Sequence, residues 1–150
     1  MKLAFVLAIG MLLASPAAFA EEPAEPRVVV ILHPSNGTAA IDRSQLAQIF
    51  KGVRRSWNAQ LPIALYLPPT TSPAMQALAK DVFKVPRPED VPTFYSNAVQ
   101  RKIFSEAPRA FATEADVVKQ VAAEPGAIAV VQASQIADPA SVKVIAVEGL

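Results

Sequence analysis

The sequence predicts a three-layer α/β/α domain, a single lobe built on a mixed sheet. Short aliphatic runs at 27–32, 62–67, 127–131 and 142–147 alternate with stretches whose apolar residues recur at helical spacing. Prolines and glycines fall mostly between these runs, where elements should begin or end. The 130 residues after position 20 can bury one core but are too few for two lobes of usual size.

At the amino end, Lys2 precedes an apolar run from Leu3 to Leu13, and small residues lead to Ala18-Phe19-Ala20. This pattern predicts a cleaved secretory signal over 1–20, since about 11 apolar residues fall short of the ~20 that span a bilayer. Residues 21–26 have no apolar face and are expected to form a flexible leader, with the folded domain over 27–150. Residues 27–32 read as a central strand covered on both faces. His33 to Thr38 then forms a loop with turn chemistry. Asp42 opens a helix, with Gln45 at the capping-box position and Ile41 and Leu46 as a hydrophobic staple. Leu46, Ile49, Phe50 and Val53 form its apolar stripe, and Gly52 stops it.

Trp57 follows, read as an anchor whose indole N–H bonds a loop carbonyl. Residues 62–67 form the second strand. Ser72 caps a second helix with Pro73 at its first position and a stripe of Met75, Leu78, Val82 and Phe83. Phe94, Tyr95, Ala98 and Val99 predict a third helix reaching about Phe104. Thr113 caps a fourth over 113–123, with Asp116 at the reciprocal position and Gly126 closing the turn. The last two strands follow at 127–131 and 142–147.

Taken together, the strand into His33-Pro-Ser-Asn36, the helix Ser44 to Gly52, Trp57, the strand Ile63 to Leu67 and the run Pro125 to Val131 resemble the small phosphate-binding-protein-like domains. These are similar to one lobe of the type II periplasmic solute-binding proteins of ABC phosphate importers. Leu46, Ile49, Phe50, Gly52 and Trp57, then Pro125, Gly126, Ala127 and Ile128, match the paired motifs, while Ala129 stands where the family usually has glycine. The resemblance implies a periplasmic-binding-protein type II-like fold and a binding function without catalysis or cofactor. In that family the end of the second strand carries an arginine and an Asp-Gly-Ser-Gly-Thr turn whose amides and hydroxyls hold the oxyanion.

Here Pro68 replaces the arginine, Pro73 removes a backbone donor and Ala74 lacks a hydroxyl, leaving Ser72 as the clearest match. Losing an arginine removes a charge-assisted bond, roughly twice as strong as a neutral one. The expected ligand-binding residues are Ser72, Thr71 and Thr70 at the start of the second helix, with Ser35 and Asn36 beside them if the first strand ends next to the second. Two readings stay open. One is weak binding of phosphate or another small oxyanion in an open groove, in association with transport. The other is an exported adaptor or regulator that kept the fold, lost the ligand and meets an envelope protein or a second copy of itself; in that reading Ser72 is only a helix cap.

Other chemistries find little support. Without Lys2 the 14 basic residues become 13 against 13 acidic, so no basic field invites nucleic acid. Cysteine is absent and His33 is the only histidine, which leaves no metal-ligand set and no thiolate. His33 lies near Ser35, yet no strained G-x-S-x-G elbow accompanies them. Asn36-Gly-Thr38 reads as a turn before it reads as a glycosylation acceptor. After signal cleavage no membrane insertion is expected, and the compartment is the periplasm or another exported space.

Overall fold

The computed structural model describes residues 27–150, so the expected signal peptide and leader lie outside the described residues. β1 (Val28–Leu32) is buried at every position. Val28, Val30 and Leu32 enter one apolar cluster, and Val29 and Ile31 enter another on the opposite face. This two-sided burial explains why its sequence is continuously aliphatic instead of alternating.

The main sheet runs in the order β5 (Arg109–Ala110), β4 (Ala64–Leu67), β6 (Ala127–Gln132), β1, β7 (Lys143–Ile145). β4 is parallel to both its neighbours, whereas β1 is antiparallel to β6 and β7. The sheet is therefore mixed, as the sequence predicts. Helices α1 (Arg43–Phe50), α2 (Pro73–Ala77) and α3 (Asp90–Gln100) contribute to the first cluster, and α4 (Glu114–Ala123) to the second. Each fully buried Leu, Ile or Val in these layers contributes about 1.5–3 kcal/mol.

The caps follow the sequence closely. Asp42 accepts from the Gln45 backbone N–H at 2.7 Å, and the Gln45 side chain accepts from the Asp42 N–H at 3.0 Å. Gly52 has φ +81°, a left-handed turn that favours glycine, and closes α1. Beyond that turn the chain no longer follows the helix, so Val53 is 75% exposed and does not join the expected stripe. The second apolar run also differs: a two-stranded ribbon of β2 (Ser56–Asn58) and β3 (Leu61–Pro62) precedes β4. Proline at 62 ends this ribbon, and β4 starts two residues later. The helix after Ser72 widens into a π-helical turn over Leu78–Phe83 and stops at Lys84, φ +53°. Its expected stripe of Met75, Leu78, Val82 and Phe83 is buried. The third helix begins and ends earlier than expected; Phe104 lies beyond it and packs back onto Tyr95 at 5.4 Å between ring centroids.

Tyr95 is buried, and its hydroxyl donates to the Phe50 carbonyl at 2.5 Å. Carbonyls in the last turn of a helix lack intrahelical partners, so this bond closes α1 from outside. Burial alone pushes the Tyr95 phenol well above its ordinary range, which keeps it a donor. Tyr95→Phe is expected to lose about 0.5–1.5 kcal/mol in urea unfolding. An unchanged midpoint would mean that the ring, not the hydroxyl, provides all the stabilisation.

Candidate functional site

The sheet topology decides which expected site residues can meet. Leu32 of β1 and Leu65 of β4 both lie opposite Ile128 of β6, one antiparallel and the other parallel. The chain therefore leaves β1 at one end of the sheet and leaves β4 at the other. Ser35 and Asn36 fall near the starts of β4 and β6, while Thr70, Thr71 and Ser72 fall beyond the end of β4. The expected five-residue cluster is split, because β6 separates the two strands and β1 runs the opposite way.

At the β1 end, Ser35 bonds His33 Nδ1 through both its hydroxyl, at 2.7 Å, and its backbone N–H, at 3.1 Å. A backbone N–H can only donate, so Nδ1 accepts and the imidazole is held in a local turn. Asn36 is buried; its Oδ1 accepts from Thr38 N–H at 3.0 Å, and its carbonyl accepts from Lys143 Nζ at 3.1 Å. These bonds fold a loop onto β7.

At the other end, Ser72 is buried and its hydroxyl bonds within its own segment. It donates to the Pro69 carbonyl at 2.8 Å and accepts from the Met75 N–H at 3.2 Å, the N-cap of α2. Thr70 is half-buried and Thr71 exposed. Three hollows of the surface, one of them beside Tyr66 and Arg109, are lined by other residues.

A residue that the sequence did not single out for binding fills this region. Glu114, the first residue of α4, is only 5% exposed. Its carboxylate accepts from the Gln132 side-chain amide at 3.1 Å and from the Gln132 backbone N–H at 3.4 Å, where β6 ends. Desolvation holds its carboxyl above the usual range, and the Gln132 bonds and nearby Ser72 hydroxyl oppose that rise. The start of α4 also favours negative charge. An acid at a helix start is so ordinary that no local pattern marks Glu114; only its pairing with Gln132, 18 positions away, does so. Among the described residues no group of His, Cys, Asp or Glu could hold a metal ion.

The family described as the PBP superfamily domain matches residues 26–146. The chain belongs to this family. Solved structures show the same fold. A protein from Clostridium perfringens, assigned as a phosphate ABC transporter substrate-binding protein with bound phosphate, superposes with TM-score 0.61 at 16% identity, over 82% of this chain and 45% of that one. PstS from Borrelia burgdorferi gives 0.55 at 12% identity, over 82% and 47%. An ABC-type phosphate transport receptor from Vibrio cholerae gives 0.52 at 17% identity, over 82% and 46%. This PBP domain thus spans less than half the length of those structures. No curated protein sequence matches it.

Two landmarks of the PBP domain acquire a physical reason. Trp57 Nε1 donates to the Gly126 carbonyl at 3.0 Å, 69 positions away, while Arg54 lies 5.4 Å over the indole ring. The tryptophan therefore anchors the return loop onto the start of β6. Gly126 leaves no room for a side chain: an added Cβ would lie 2.2 Å from the Pro62 carbonyl oxygen.

Proposed function

We propose that this PBP domain is an exported, non-enzymatic lobe whose oxyanion position is filled by its own Glu114, and that it acts as an adaptor or regulator facing another protein. The observation that carries this reading is the buried carboxylate beside Ser72, which accepts from the Gln132 backbone N–H and side-chain amide. A free phosphate entering there would meet a carboxyl group, a hydroxyl already donating to the Pro69 carbonyl, and prolines at 68, 69 and 73.

A second reading, weak phosphate binding in association with transport, is favoured by the exposed Thr71 beside half-buried Thr70 and by the phosphate-binding relatives. Thermal unfolding of the mature chain with millimolar phosphate, sulfate or molybdate separates the two. The adaptor reading expects no rise in Tm with any anion. A phosphate-specific rise that grows with concentration would establish the second reading instead.

A further inference from the structure

A groove runs along the free side of β4, away from the position of Glu114. β5 pairs with Tyr66 and Leu67 only, so the Ala64–Leu65 half of that edge has no strand beside it. Two hollows, about 530 and 160 Å³, open there and share Ile63, Leu65, Phe104 and Ser105 in their walls. The larger volume lies within the range of about 300–1,000 Å³ occupied by ligand sites.

Its charges are divided between the two hollows. Arg54 and Arg55 line the smaller hollow, which has no acidic wall residue. Arg55 donates to the Gly52 carbonyl at 3.1 Å and lies 6.0 Å from the Phe104 ring centroid, and Arg54 donates to backbone carbonyls. Neither has a carboxylate partner among the described residues, where the one ion pair is Arg87–Asp90. The larger hollow has Arg109, Glu106 and Glu124 in its wall. Tyr66 donates its hydroxyl to Glu124, and Gln120 Nε2 bonds the same carboxylate at 3.3 Å, so that acid is held in place. The floor between the two ends is aliphatic and aromatic.

We propose that this groove takes the extended carboxyl terminus of a partner polypeptide. The terminal carboxylate would sit between Arg54 and Arg55, at the start of β4. The preceding residues would pass over Ile63, Leu65 and Phe104 into the larger hollow, where a basic residue would reach Glu106 and Glu124. An exposed sheet edge binds an extended chain through its backbone, and flanking pockets select alternate side chains. The fork of a guanidinium binds a carboxylate in two-pronged fashion. Nucleic acid is disfavoured by the two acids in the wall. This inference rests on the protein-facing reading and supplies its surface.

The test passes a pool of randomised pentapeptides, as free acids or as carboxyl-terminal amides, over the immobilised mature chain and identifies the retained species by mass spectrometry. Free acids should be retained and amides not, with a basic residue enriched upstream of alternating apolar positions. Arg54→Gln with Arg55→Gln should weaken retained peptides at least about tenfold, or about 1.4 kcal/mol. Ser105→Trp, an exposed change that plugs both hollows, should do the same without altering the fold. Equal retention of acids and amides, no retention of either, or binding indifferent to Ser105→Trp overturns the groove. Displacement of the peptides by octanoate with equal affinity would reassign it to small carboxylates. Glu114→Ala should leave retention unchanged. No retention together with a phosphate-dependent Tm in the wild type would instead remove the adaptor reading itself.

Discussion

Gly126→Ala should lower the unfolding free energy by about 1–3 kcal/mol, the range for forcing a methyl group into a filled core. The reason is space and not backbone conformation, because Gly126 is absent from the positive-φ glycines, Gly52 and Gly149. The new Cβ would collide with the Pro62 carbonyl, a backbone atom that cannot swing aside as a side chain does. Any shift also strains two bonds to the Gly126 carbonyl, from Ala64 N–H at 2.9 Å and from Trp57 Nε1 at 3.0 Å. Urea unfolding followed by the emission of the only tryptophan reads both effects, since release of the indole moves its emission to the red. Gly37→Ala is the control: nothing lies within 4 Å of its Cβ position, and its effect should stay within about 0.5 kcal/mol. Equal losses in the two variants would show that the close approach at Gly126 carries no penalty.

The second large effect concerns Glu114. Glu114→Ala removes the carboxylate but leaves the Gln132 amide and N–H aimed at the vacated space. Formate or phosphate should then stabilise the variant, by about 2.7 kcal/mol at 100 times the dissociation constant, and should leave the wild type unmoved. Gain in both proteins, or in neither, would end the idea that this side chain stands in for a bound anion.

The same residue makes a pH prediction. Its carboxyl is raised above the ordinary 4.5, so between the unfolded and folded values the native state binds more protons than the unfolded chain. Stability from this group is therefore fully present below the unfolded value and falls as pH rises through the folded one. Glu114→Gln cannot titrate. Relative to the wild type, it should gain in Tm on going from about pH 4.5 to neutral pH. A difference between the two proteins that does not change over that interval would mean that burial leaves the carboxyl unperturbed.

Much of the architecture was legible in the residues because it depends on local rules. The Asp42–Gln45 capping box, the Ser72 and Thr113 caps, the stop at Gly52 and the two-sided burial of β1 each arise from chemistry within a few positions of the chain. Trp57 as an anchor was legible too, although its acceptor lies far away, because a large ring with one donor needs both cover and a carbonyl. The misplaced features had causes beyond local spacing. Val53 left its stripe when the glycine turn redirected the chain, and the second strand broke where Pro62 ended a ribbon.

The candidate site was the least legible part. Residue order alone determined that a capped helix follows an aliphatic strand, with hydroxyls between them, and it determined the family to which the chain belongs. Only the tertiary structure decided that β1 runs antiparallel to β6, which sends Ser35 and Asn36 to the far end of the sheet. It also decided that Glu114 meets Gln132 beside Ser72, and that β5 leaves half of the β4 edge open. Strand direction and the meeting of distant side chains are set by how whole layers pack, and no short stretch of chain contains that information.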